Sequence, residues 1–191
     1  MNKKQVFVVG LMVVSAAVTA GAPGLRAAAR KKPAPHQPVT APEATRTLGS
    51  EGAWTAYEFE DKSGRVCYLV ATPQKSEPGS AKRKPPSAMV THRPAQKVAN
   101  VVSFAEGYPL KEGSEVLLEV GGSKFELFTK DDSAWARTSE LDKSIVTAFA
   151  KGRQAVVKGI PEKGPPTVDT YSLAGFAKAL GLIDKACGVK R

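Results

Sequence analysis

The sequence predicts a mainly β fold, a β-sandwich trimmed by two short helices, and three observations carry that expectation. Short runs that alternate apolar and polar side chains, or are rich in β-branched and aromatic residues, recur between residues 54 and 171 with turn residues between them. Two glycines, Gly121-Gly122, separate a pair of alternating runs, which is the local signature of a tight hairpin. Two segments, near 140–151 and 173–186, repeat apolar residues at intervals of three and four and read as helices.

The chain divides into residues 1–20, 21–50 and 51–191. Met1 to Lys4 is short and positive, Val6 to Ala20 is uncharged and mostly apolar, and Val18-Thr19-Ala20 offers a cleavage site, the layout of a secretory signal peptide. Pro23 disfavours a cut just before itself, so the Ala20–Gly21 bond is preferred, with Ala27-Ala28-Ala29 as the second candidate. The alternative is an uncleaved inner-membrane anchor over residues 6–25, which Gly21, Pro23 and Gly24 oppose. Residues 21–50 carry Pro33, Pro35, Pro38 and Pro42 and the basic run Arg30-Lys31-Lys32. With almost no large apolar side chain between 30 and 47, this stretch cannot offset its ordering entropy and is expected to be a disordered linker.

The folded part begins at Trp54. Residues 54–60 alternate around Tyr57 and Phe59, Ser63-Gly64 marks a turn, and Val66 to Ala71 is a nearly continuous apolar run expected to be a central strand. Residues 73–86 hold four prolines and Lys82-Arg83-Lys84 and read as a loop. Ser87–Arg93 and Val98–Phe104 are the next strands. Around Gly121-Gly122 the turn chemistry places Val120 opposite Ser123, Leu118 opposite Phe125 and Val116 opposite Leu127, with Glu119 facing Lys124 on the other side. A one-residue slip would bring Glu119 and Glu126 onto the core face, so pattern and turn agree on one register. Ser139 and Asp142 resemble a capping box, Leu141, Ile145, Ala148 and Phe149 share a face, and Gly152 fits a helix stop. Gln154–Ile160 and Thr167–Tyr171 are expected strands, and Leu173, Phe176, Leu180, Ile183 and Cys187 form the stripe of the last helix.

Two cysteines, Cys67 and Cys187, lie on apolar surfaces of the central strand and the last helix. In an exported chain they are expected to form a structural disulfide. Two isolated thiols make a poor zinc site, and a redox pair would usually be closely spaced.

The formal charge is +10, of which residues 1–50 hold +6, leaving the folded part mildly basic at +4. That distribution, and the lack of aromatics interleaved with basic residues, argues against nucleic acid. His36 lies in the linker and His92 in a strand; no nucleophile elbow, phosphate loop, zinc motif or calcium loop is present. Asp131-Asp132 reads as a solvated turn rather than a cation site. Lys82, Arg83 and Lys84 are the candidate surface for an anionic partner, with a solvated loop as the competing reading.

Residues 54–187 resemble the invasion-associated locus B family of exported bacterial proteins. The resemblance rests on Trp54, Cys67-Tyr68-Leu69, Thr91-His92-Arg93-Pro94, Glu106-Gly107-Tyr108, Phe125 to Thr129, Asp132 to Ala136, Thr167 to Phe176, and Ile183 to Cys187. It implies an immunoglobulin-like β-sandwich, export across the inner membrane of a Gram-negative bacterium, and a link to host-cell invasion in some members. It implies no catalytic residue. The expected function is therefore a non-enzymatic binding or structural module of the periplasm or cell surface, without cofactor or metal. Its partner would be a protein or an anionic envelope or host-surface component, with peripheral membrane contact. The alternatives are an envelope-acting hydrolase using His92, or a periplasmic folding factor that offers a sheet edge to clients.

Overall fold

A computed structural model describes residues 45–79 and 83–191. The expected signal peptide, its cleavage sites, most of the linker and Lys82 lie outside the described residues.

Among the described residues eleven strands and two α-helices follow one another as β1 (Arg46–Glu51), β2 (Trp54–Asp61), β3 (Gly64–Ala71), β4 (Lys75–Glu77), β5 (Ser87–Arg93), β6 (Val98–Ala105), β7 (Glu115–Val120), β8 (Ser123–Lys130), β9 (Ser133–Trp135), α1 (Ser139–Lys151), β10 (Gln154–Gly159), β11 (Thr167–Ser172) and α2 (Phe176–Cys187). The strands form one antiparallel sheet in the order β1-β2-β3-β5-β6-β9-β8-β7-β10-β11-β4.

This sheet is folded over on itself. Trp54 on β2 and Ser172 on β11 are eight strand steps apart in that order, about 38 Å across a flat sheet at roughly 4.8 Å per step. Yet the Trp54 indole N–H donates to the Ser172 carbonyl at 3.0 Å. Phe104 on β6 and Tyr171 on β11, five steps apart, bring their rings within 5.7 Å. The mainly β, sandwich-like architecture therefore arises from one continuous sheet whose halves meet through the three-residue β9, which pairs with both β6 and β8.

The helices complete the core. Phe149 of α1 and Phe176 of α2 pack edge-on at 5.2 Å, and Phe176 meets the Trp54 ring at 4.9 Å. Leu69, Val90, Leu118, Leu127, Ile145 and Ile183 are fully enclosed around them. Burial of this kind stabilises by about 25 cal/mol for each Å² of apolar surface removed from water.

The β7–β8 hairpin has the register that the turn chemistry dictated: Val120 opposite Ser123, Leu118 opposite Phe125, Val116 opposite Leu127. Four boundaries differ from the sequence expectation, and the three-residue strand β9 is an element it did not contain. Residues 46–50, assigned to the linker, are strand β1, held through cross-strand partners in β2 despite a bulge between Thr47 and Gly49. The loop over 73–86 contains β4, which borrows its order from β11. The N-cap of α1 is Thr138, whose hydroxyl accepts from the Leu141 amide at 3.2 Å. Asp142 instead reaches out of the helix and accepts from the Val102 amide at 2.8 Å. Helix α2 starts at Phe176, not at 173, because Gly175 adopts a left-handed conformation where a Cβ would meet the Glu51 carbonyl at 2.1 Å.

Candidate functional site in two buried polar clusters

The first cluster surrounds His92. Strand alternation turns Ala88, Val90 and His92 of β5 inward, so a histidine takes a core position. Its Nδ1 accepts the Asn100 amide at 3.0 Å, which leaves Nε2 as the protonated nitrogen. Nε2 then donates to Asp184 Oδ1 at 2.9 Å. The Asp184 carboxylate also receives Arg191, with Nε at 2.5 Å from Oδ2. Burial pushes the imidazole below its ordinary value despite the neighbouring Asp184 carboxylate. Cys67 is the direct cross-strand neighbour of His92, and Cys187 lies one turn beyond Asp184. The two sulfurs are bonded at 2.04 Å. Sheet and terminal helix are thus tied side by side by the disulfide and the His92–Asp184 bond, and Arg65 of β3 adds a bond to the Ala186 carbonyl at 3.1 Å.

The second cluster was not read as a site from the sequence. On β11 the inward set is Thr167, Asp169 and Tyr171, which puts a carboxylate fully inside the protein. Arg83 meets it with two parallel bonds, Nη1 to Oδ2 at 2.8 Å and Nη2 to Oδ1 at 2.5 Å. Ser76 of β4 donates to the same carboxylate at 2.6 Å. Arg83 also donates to the Glu106 carbonyl at 3.0 Å and lies over the Tyr108 ring at 5.5 Å. Tyr108 bonds the Glu106 carboxyl at 3.1 Å and shares a short hydrogen bond with Thr167. Burial, and then the Asp169 charge, push the Glu106 carboxyl up to about 7. Burial works against the Arg83 charge, yet the Asp169 carboxylate holds its proton more firmly than usual.

Two glycines make room for this arrangement. At Gly107 the backbone is left-handed and a Cβ would meet the Lys84 carbonyl at 2.1 Å; the Lys84 amide bonds the Gly107 carbonyl at 3.0 Å. A Cβ at Gly159 would stand 2.5 Å from the Tyr108 hydroxyl. Among the described residues two buried polar side-chain atoms remain without a partner, Glu106 Oε1 and the Tyr171 hydroxyl.

These positions correct the expected anionic-partner patch. The Arg83 side chain is only 5% exposed and is spent on Asp169. Lys84 is exposed, and Lys82 lies outside the described residues. A run of three cations is thus split, because an inward carboxylate recruits the middle one. The signal was in the sequence: with Tyr171 as a core anchor, the period of two places Asp169 on the same face.

Chemically, neither cluster offers a reactive atom at the surface. His92 and Glu106 are both fully buried. His92 has a carboxylate partner, but its second nitrogen is occupied by a backbone amide, not a serine. Asp131 occupies a left-handed turn between β8 and β9. Among the described residues no three His, Cys, Asp or Glu side chains are grouped to hold a metal ion, and no helix is long and apolar enough to cross a membrane. The sheet edges are β1, interrupted by its bulge, and β4, three residues long. Bulges and short strands are features that discourage pairing with other chains.

Fold and clusters together define a disulfide-closed, mainly β domain whose ionisable interior groups serve one another. The family model for the invasion associated locus B (IalB) protein matches residues 54–184, and the chain belongs to that family. A crystal structure of invasion associated protein B from Bartonella henselae is similar in fold, with a TM-score of 0.53 at 17% identity over 74% of this chain and 97% of that one. No curated protein matches.

Proposed function

We propose that this protein is an exported, non-enzymatic module of the bacterial envelope or cell surface that works by binding, with a contribution to contact between bacterium and host. The observation that carries the reading is His92: the side chain best suited to acid–base work is sealed from solvent with both nitrogens engaged. The disulfide supports an oxidising destination, and the uncharged stretch after Lys4 supports export. Family membership, and the name of the Bartonella relative, support the role in host contact.

The test is fractionation of growing cells with mass spectrometry of the native chain. The expected product lacks residues 1–20, has Cys67 bonded to Cys187, and appears in the periplasm or at the surface. A cytosolic chain with both thiols free and its first twenty residues attached would overturn the reading.

A further inference from the structure

Six of the seven arginines among the described residues have a carboxylate partner: Arg46 with Glu58, Arg65 with Glu60, Arg83 with Asp169, Arg93 with Asp61, Arg137 with Glu115 and Arg191 with Asp184. Arg153 is the exception. It is exposed, between the end of α1 and the start of β10. Its backbone is fixed, since its carbonyl accepts the Leu173 amide at 3.0 Å and the preceding Gly152 amide closes α1 onto Ala148 at 2.8 Å. The guanidinium is therefore presented from a rigid base with no acid to neutralise it among the described residues.

Its neighbours are cations as well. Arg153 lines an open depression with Lys124 from the hairpin and Lys151 from the end of α1. A second depression runs on from Lys151 along the helix to Lys143. Lys143 and Lys151 lie two turns apart on one stripe of α1. Glu119 is the one carboxylate on either lining; Lys158 lies 3.1 Å from it and Lys124 3.8 Å, so a single acid is shared by two lysines and leaves Lys143, Lys151 and Arg153 unmatched. A solvated helix face would account for the two helical lysines. It does not account for an unpaired arginine placed beside them when every other described arginine is matched.

We propose that Lys124, Lys143, Lys151 and Arg153 form a face that docks on an anionic lipid surface by holding headgroup phosphates, which rests on the reading of the protein as an envelope-associated binder. The linings favour this occupant. Ser144 and Thr147 spend their hydroxyl protons on carbonyls of their own helix, at 2.8 Å each, so the face supplies charge rather than directed hydroxyl donors. Phe125 is the single aromatic on the two linings and is partly covered, so no platform exists for stacking sugar rings. An open array of point charges matches a charged lipid surface, where basic residues add their attraction roughly one by one and salt screens it.

The experiment is sedimentation of the full chain, as it accumulates in cells, with vesicles of phosphatidylcholine alone or mixed with phosphatidylglycerol. A variant with K124Q, K143Q, K151Q and R153Q is compared with a charge-matched control carrying K62Q, K97Q, K111Q and K163Q. Thermal melts establish that both fold. The expected result is salt-sensitive binding to the phosphatidylglycerol vesicles only, weakened roughly 100-fold or more in the first variant and little changed in the control. Equal loss in both variants would overturn the face as a site, as would equal binding to uncharged vesicles. Binding to dextran sulfate without binding to the phosphatidylglycerol vesicles would assign the face to a polyanionic glycan and overturn the lipid. If the first variant stays in the envelope fraction as fully as the unaltered protein, the face is wrong while the envelope function stands. A cytosolic unaltered protein would remove both.

Discussion

The His92 cluster and the Glu106 cluster are both buried, and both join a carboxylate to a nitrogen cation or donor, but they solve the cost of burial differently. Around His92 the histidine stays neutral, both ring nitrogens are used, and Asp184 keeps Arg191 as a second partner near the surface. Around Glu106 the charge of Arg83 is matched at close range by Asp169, and the second carboxyl, Glu106, 3.7 Å from the same guanidinium, is accommodated by keeping its proton. The comparison separates redundancy from exclusivity. A site with two ways to satisfy its acid tolerates damage, whereas a buried acid with one cation does not.

The largest way to break the comparison is to cut the covalent link beside the first cluster. Replacing Cys67 and Cys187 with alanine opens a loop spanning 120 residues of sequence, for which chain entropy gives a loss of about 4–5 kcal/mol. Urea unfolding measures it. In that background the His92–Asp184 bond carries more of the load at this end of α2, alongside the Arg65 bond to the Ala186 carbonyl, so His92→Leu is expected to cost more than in the parent. Additive losses would show that the two ties do not share a load.

Arg83→Met comes next. It leaves Asp169 buried without its cation and is expected to cost about 3–5 kcal/mol. His92→Leu in the parent should cost about 1–3 kcal/mol, the penalty for the stranded Asn100 amide, because Arg191 still serves Asp184. Equal losses would erase the distinction drawn between the clusters. Adding Asp169→Leu to Arg83→Met should recover much of the stability, since the stranded charge leaves with it.

The clusters also answer pH in opposite senses. Glu106 ionises at about 7 in the folded protein against 4.5 as its ordinary value. Between these values the folded chain holds a proton that the unfolded chain has released, so stability falls as pH rises through the window. The full difference corresponds to about 3 kcal/mol above neutrality. Glu106→Gln, which cannot ionise, should flatten that slope. Asp142, pushed up to about 6 by burial, contributes a smaller slope of the same sign that survives the substitution. His92 acts the other way: its folded value is lowered, so below its unfolded value of about 6.5 the unfolded chain binds the proton and acid weakens the fold. Melting curves across pH 4 to 8 on the parent, Glu106→Gln and His92→Leu resolve the two slopes. An unchanged profile in Glu106→Gln would place the proton elsewhere.

Much of the sheet could be read from side-chain period alone. The β7–β8 register followed because turn and pattern imposed the same answer. β1 and β9 were not legible because one is broken by a bulge and the other is three residues long, although each pairs with a neighbouring strand, and β4 because it is short and takes its order from β11 far along the chain. The same limit applies to the sites. Cys67 and Cys187 announced themselves by residue type and location. Arg83 did not, because its fate depends on Asp169, 86 residues away. Local charge density marked Lys82-Arg83-Lys84 as a surface feature, while the fold spends the middle cation inside. The cations of the exposed face are scattered over residues 124–153 and only the hairpin and α1 bring them together.

The smallest effect tests how completely the Glu106 cluster is satisfied. The Tyr171 hydroxyl is buried with no partner, next to a carboxyl whose Oε1 also has none. Burial, together with the Glu106 and Asp169 charges, pushes the phenol far above its ordinary value, so it remains neutral. A hydroxyl that has lost its water and gained nothing is a net cost, so Tyr171→Phe should be neutral or stabilising by up to about 1 kcal/mol. The ring contacts with Phe104 are kept in that substitution. A loss of more than about 1 kcal/mol would mean that the hydroxyl is bonded, with a buried water joining it to Glu106 as the first candidate. Repeating Tyr171→Phe in the Glu106→Gln background then decides the point: a shared water makes the two losses non-additive, and independent atoms leave them additive.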